Sequence, residues 1–211
     1  MKRTNISCLL LLLFSAFFFC GCEKELDSEG LSRTTYFPDF TMKGEQYMSL
    51  VVGEAYNEAG VTATEEGDEI EVTAAGTVDI HTPGVYDITY TATNKDGFSS
   101  KVTRTVAVLS AAEQEGVDIS GDYVYSSGSP KVTVKKLAPG LYLQPNVWGG
   151  STIGAYILTT DGENLVLPES ALSVYGTVSG TGKIDSNGKM TLKVNLLDYG
   201  IMGRERIWQK Q

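Results

Sequence analysis

Hydrophobic positions in this chain recur with a period of two. Over 85–92, Tyr86, Ile88, Tyr90 and Ala92 fall on one face of an extended segment, and Asp87, Thr89 and Thr91 on the other, as in a strand with one buried side. Asn94-Lys95-Asp96-Gly97 turns the chain and 102–108 returns antiparallel, which predicts a hairpin. Upstream, 50–52, 61–63, 70–73 and 77–80 are further strand candidates. About seven strands are therefore expected in roughly 75 residues, the size of a β-sandwich.

A second series follows. The segments 123–125, 132–135, 141–144, 155–158, 165–167, 174–179, 190–196 and 206–208 read as up to eight short strands. Pro139-Gly140 suits a tight turn, and Asp161-Gly162 and Asn187-Gly188 are dipeptides that favour type I′ turns. Met190, Leu192, Val194 and Leu196 face one way, Thr191, Lys193 and Asn195 the other. This succession predicts an antiparallel up-and-down meander, which at about eight strands closes into a small barrel; a half-open sandwich satisfies the same pattern. The fold class is all-β, with a sandwich over 35–109, a polar linker over 110–116 and a barrel-like domain over 117–211.

The N-terminus is patterned differently. Lys2 and Arg3 precede an apolar stretch over 6–20, the length of a signal-peptide core and short for a bilayer span. It closes on Phe19-Cys20-Gly21-Cys22 and resembles a bacterial lipoprotein signal, which implies removal of residues 1–21 and lipidation of Cys22. Residues 22–34 are polar and without period, and read as a flexible tether. Their acidic residues Glu23, Glu25, Asp27 and Glu29 resemble the export signal of Bacteroidetes lipoproteins. The resemblance implies an outer-membrane anchor with the protein facing the cell surface rather than the periplasm.

Charge narrows the function classes. The 211 residues carry a formal charge of -9 with no basic face, so the phosphate-neutralising footprint of a nucleic-acid binder is missing. The only membrane contact expected is the lipid on Cys22. All three cysteines, Cys8, Cys20 and Cys22, lie at or before the cleavage point, so disulfides, zinc thiolates and a cysteine nucleophile are not expected. Residues 32–109 hold 5 bases and 12 acids whereas 117–211 hold 9 and 8, which makes the two halves chemically distinct.

At Val52-Gly53-Glu54-Ala55-Tyr56, Glu58-Ala59-Gly60-Val61-Thr62-Ala63 and Thr82-Pro83-Gly84-Val85-Tyr86-Asp87-Ile88-Thr89-Tyr90, continuing to Arg104-Thr105-Val106-Ala107-Val108, the chain resembles the bacterial immunoglobulin-like domains of cell-surface proteins. That family implies a β-sandwich used as a spacer or adhesion module without a catalytic site. Ile119-Ser120-Gly121-Asp122-Tyr123 and the following meander resemble the calycin-like, lipocalin-related barrels found behind such domains in Bacteroidetes lipoproteins.

Few residues are candidates for chemistry. His81 is the single histidine and forms no zinc site or catalytic pair alone. No Gly-x-Ser-x-Gly elbow surrounds a serine. The acids Glu65, Glu66, Asp68, Glu69 and Glu71 lack EF-hand spacing and read as a solvated turn. No enzyme activity, cofactor or metal is expected. The aromatic set of the second domain is more informative. Tyr142 and Trp148 bracket a loop containing Gln144 and Asn146, with Tyr156 in the next strand; aromatic rings stack on the C–H faces of sugars while amides read hydroxyls. These five are the expected ligand-binding residues. The expected function is a non-catalytic glycan-binding or accessory protein of an outer-membrane glycan-uptake system, with glycans or transport proteins as partners. The alternative is a structural or adhesion lipoprotein that binds another envelope protein.

Overall fold

The alternating pattern produces strands throughout the computed structural model, which describes residues 34–211. The expected signal segment 1–21, the lipidation site Cys22 and the tether as far as residue 33 lie outside the described residues. Tyr36–Gln211 form one compact unit.

Seven strands build the first half: β1 (Asp39–Met42), β2 (Tyr47–Val51), β3 (Val61–Glu65), β4 (Asp68–Ile70), β5 (Val72–Ala75), β6 (Gly84–Thr93) and β7 (Ser99–Leu109). They lie in a three-stranded sheet of order β1-β3-β4 and a four-stranded sheet of order β2-β7-β6-β5. β2 runs parallel to β7, and the other neighbours are antiparallel. Only Glu71 separates β4 from β5, so the chain changes sheet there. As the alternation requires, Ile88, Tyr90 and Ala92 are buried.

Two sequence expectations change. Residues 77–80 are not a strand: β5 ends at Ala75, and the backbone groups that follow bond to a neighbouring loop, with Gly53 N donating to Ile80 O at 2.8 Å. The Asp161 and Asn187 turns are not type I′, because Glu66 is the one non-glycine among the described residues with a positive φ. Asp side chains organise these turns instead. Asp185 Oδ1 accepts the backbone N–H groups of Asn187 and Lys189, and Asp161 Oδ1 those of Glu163 and Asn164, the local bonding by which Asx residues mimic a backbone turn.

The second half is a closed antiparallel barrel, which settles the choice between barrel and half-open sandwich. Its strands are β8 (Gly121–Tyr125), β9 (Lys131–Ala138), β10 (Leu141–Gln144), β11 (Ala155–Leu158), β12 (Asn164–Ser173), β13 (Gly176–Ile184), β14 (Lys189–Leu196) and β15 (Ile201–Lys210), with β15 pairing back onto β8. Residues of one parity fill the interior: Tyr123, Tyr142, Ile157, Leu165, Val178, the Met190 to Leu196 series and Trp208 are buried together. Closure leaves no sheet edge to pair with another chain.

The two halves share a second core. In β7, Val106 and Val108 share the inner face of the sandwich with Arg104, while Ala107 and Leu109 face outward. There they pack against Ala138, Leu141, Tyr156 and Leu158 on the outer wall of the barrel. This explains the unbroken apolar run from Val106 to Leu109, which is covered on both sides. The linker is also tied down: Glu113 accepts hydrogen bonds from Gly140 N at 2.9 Å, Tyr142 Oη at 2.8 Å and Lys136 Nζ at 2.8 Å.

Candidate functional site

The barrel has a linker end, where 116–120 enters, and an opposite end formed by the connections 126–130, 145–154, 174–175 and 197–200. The longest of these contains the predicted ligand-binding loop. Pro145 has no N–H to continue the ladder and ends β10. Asn146 then holds the loop: its Oδ1 accepts Trp148 N at 2.9 Å and Gly149 N at 3.0 Å, and its Nδ2 donates to Gly149 O. Gln144 Nε2 donates to Asn146 O at 3.0 Å. Gly149 has φ +99°, and a Cβ there would stand 2.9 Å from the Tyr125 ring, so only glycine lets the loop pass so close. Val147 and Ile153 are fully buried. The loop is thus folded into the opposite end of the barrel and plugs it.

The five expected ligand-binding residues have different surroundings. Tyr142 faces into the barrel and is fully buried; burial and the bond to Glu113 push its phenol above the usual tyrosine range. Gln144 shares that inward face and is also buried, and Asn146 is consumed in holding the loop. Tyr156 points the other way, onto the sandwich, with its hydroxyl 3.5 Å from Thr105 Oγ1. All four are buried. Trp148 is half-buried, and the guanidinium of Arg206 lies 3.7 Å over its ring.

Arg206 was not singled out from the sequence. It belongs to β15, and strand alternation puts Arg204, Arg206 and Trp208 on one face, which at Trp208 is the barrel interior. Its Nη1 donates to Glu205 O at 2.9 Å, while its Nε is buried without a partner. No carboxylate lies within ion-pair distance of it among the described residues. Gln144 Oε1 and Trp208 Nε1 are also buried without partners. The inward alternation of two arginines leading to a tryptophan was the available sequence signal.

Around this end the tips are apolar and aromatic. Val174 is 94% exposed, Met202 64%, Tyr199 60% and Leu172 39%. Residue 174, expected to begin a strand, is at the tip of the β12–β13 hairpin. Tyr125 and Tyr175 pack beside Trp148 against the barrel core.

A second concavity, of about 540 Å³, lies between the halves. Pro83, Tyr86 and Leu109 form its sandwich side, and Leu158, Asn164 and Val166 its barrel side. Asp161 sits on its rim, its carboxyl held down at about 2 by hydrogen bonds from the Asn164 side chain and backbone. Of the remaining candidates, His81 is on an exposed turn where its N–H is capped by Asp79 Oδ1. Glu65 and Glu66 pair with Lys95. No group of three or more metal-ligating side chains occurs among the described residues, and no described helix is long and apolar enough to cross a membrane.

Comparison with known proteins bears on the first half most directly. Residues 40–108 match the family model described as bacterial surface protein, Ig-like domain. No curated protein matches. Among solved structures, the chain is similar to a lipoprotein from Bacteroides thetaiotaomicron, at 24% identity and a TM-score of 0.40, covering 83% of this chain and 100% of that one. It is also similar to the CBM51-2 and INT domains of Clostridium perfringens ZmpB, solved in complex with GlcNAc, at 15% identity and a TM-score of 0.31, covering 82% of this chain and 47% of that one. The structure of the M60 catalytic domain with CBM51-1 and CBM51-2 from the same protein gives 14% identity and a TM-score of 0.33, covering 83% of this chain and 23% of that one.

Proposed function

We propose that this is a lipid-anchored, non-catalytic surface protein of the bacterial outer membrane that binds glycan at the plugged end of its barrel, as an accessory to a glycan-uptake system. The match of 40–108 to a surface Ig-like domain supports the location. The observation that carries the binding assignment is the Trp148–Arg206 stack. The indole holds a guanidinium whose free donors can bond to sugar oxygens, and the exposed remainder of the ring adds apolar surface for sugar C–H groups. Tyr175 and Tyr199 supply further aromatic surface at the same end.

The test is a glycan-array screen of residues 36–211 beside a Trp148→Ala variant, with calorimetry on any hit. Binding that is lost in a folded variant supports the assignment. Retention of no glycan by either protein refutes it.

The exposed side chains Leu172, Val174, Tyr199 and Met202 favour a second reading, in which this end docks against another envelope protein. Val174→Asp then abolishes co-purification of that partner after crosslinking on intact cells, while Trp148→Ala leaves it unchanged.

A further inference from the structure

Charge at the two ends of the barrel is unequal. The linker carries Glu113 and Glu115, and the connections at the linker end add Asp118, Asp161, Glu163 and Asp185. The four connections at the opposite end contain Asp198 alone, although acids outnumber bases by 26 to 17 over the chain. Arg204 and Arg206 approach that end on one face of β15, spaced two residues apart, which is about 7 Å along a strand. The oxygens of a carboxylate or sulfate and a sugar hydroxyl beside it fall within such a span.

Arg206 is held as a ligand-binding arginine would be. Stacking on Trp148 fixes the plane of the guanidinium, and one hydrogen bond, to Glu205 O, fixes its edge. The fully buried Arg104 of the sandwich meets a carboxylate, its Nε lying 3.3 Å from Glu58, whereas Arg206 is half-buried. Arg206 has no such counterion among the described residues, and that is what separates the two, since the Nε of each is buried without a hydrogen-bond acceptor. A planar, permanently charged fork with unused donors is suited to an oxyanion bound through two parallel hydrogen bonds. The partial removal of water at the barrel end strengthens that attraction.

We infer that the glycan taken by this end is acidic, its carboxylate or sulfate bound by Arg206 with Arg204 beside it and the adjoining ring laid against the Trp148 region. This rests on the reading of that end as a glycan site and names the ligand class. Repulsion disfavours acidic saccharides at the sandwich, where 32–109 hold 12 acids and 5 bases, and at the acid-bearing connections of the linker end.

The experiment is an array holding uronate oligosaccharides, sulfated oligosaccharides and neutral oligosaccharides of matching length, probed with residues 36–211, followed by calorimetry at low and high salt. The expected result is retention of acidic members at least tenfold more tightly than their neutral counterparts, weakening as salt rises. The uronate and sulfate arms identify which oxyanion is preferred. Arg206→Gln is expected to lose at least tenfold in affinity for the acidic ligand and distinctly less for neutral sugars, which meet Arg206 only through uncharged oxygens. Arg204→Gln, at an exposed position where folding is not at stake, is expected to lose severalfold. Equal retention of neutral and acidic members, lost in Trp148→Ala, overturns this inference and leaves the glycan reading standing. Retention of no member overturns both.

Discussion

Glu113 joins the linker to the barrel through one carboxylate, and its removal should be felt throughout the second half of the protein. Oε1 accepts from Gly140 N and Tyr142 Oη, and Oε2 from Lys136 Nζ. In Glu113→Ala the Gly140 N–H loses its acceptor. Tyr142 Oη falls back on Val117 O at 3.4 Å, and Lys136 retains Val117 O at 2.9 Å. An unsatisfied buried donor costs about 1–3 kcal/mol and a bond to a charged group contributes about 1.5–3 kcal/mol. The Lys136 pair, with a third of the lysine side chain in solvent, adds roughly 1 kcal/mol at most. With the fallback partners offsetting part of this, the expected loss is about 3 kcal/mol for Glu113→Ala and about 1 kcal/mol for Glu113→Gln, which keeps an acceptor. Urea unfolding followed by the fluorescence of Trp148 and Trp208 reads both.

The pH dependence has a definite sign. Burial raises the carboxyl pKa of Glu113, but the bonds from Lys136, Tyr142 and Gly140 lower it more, and the net shift is downward. A depressed folded pKa gives stability that is present above the ordinary carboxylate value and lost as pH falls through the folded value. The gap between wild type and Glu113→Gln therefore narrows in acid. A Glu113→Ala protein within 0.5 kcal/mol of wild type at pH 7, or a gap that widens in acid, would refute the reasoning.

Three further outcomes are expected. The Asp161 carboxyl, followed by carbon-detected NMR, titrates at about 2, so its stabilising contribution is complete above the ordinary aspartate pKa and is lost as pH falls from there through about 2; a midpoint near 4 contradicts the turn described for it. Gly140→Ala places a Cβ 2.6 Å from Leu109 and 3.0 Å from Thr159 O at φ +69°, and calorimetric melting should show a loss of about 2 kcal/mol or more, where an unchanged melting temperature would mean that the two halves are not packed there. Arg104 is 1% exposed, donates to Lys43 O at 2.6 Å and is paired with Glu58; Glu58→Gln leaves its charge without a counterion and should cost about 2 to 3 kcal/mol in chemical unfolding.

Much of the fold was legible because strand burial has a period of two. The alternation over 85–92 and 190–196 states which side chains face inward, and the structure buries those side chains except Tyr86, which is half-buried and lines the concavity between the halves. Closure of the barrel was less legible, since it depends on β15 meeting β8 across some eighty residues and no local pattern encodes that pairing. The turn dipeptides marked the right places but not the backbone conformation, because the Asp161 and Asp185 side chains supplied hydrogen bonds that favour other turns.

The 145–154 loop was harder to read for a physical reason. Glycine and amide residues read equally as an exposed platform or as a folded plug, and only the three-dimensional bonds of Asn146 decide between them. Tyr142 and Tyr156 are two strands' worth of ordinary aromatic spacing, and register alone sends one into the barrel and the other onto the sandwich. Arg206 is distant in sequence from Trp148, so their stack could emerge only from the closed barrel.

The most direct test of binding at the plugged end is chemical-shift mapping of nitrogen-15-labelled residues 36–211 with the tightest-binding oligosaccharide. Shifts are expected at the Trp148 indole N–H, the Arg206 Nε–H and the backbone of 126–130, 145–154 and 197–204. Shifts centred on Tyr86, Leu158 and Val166 in the cleft between the halves would contradict that placement.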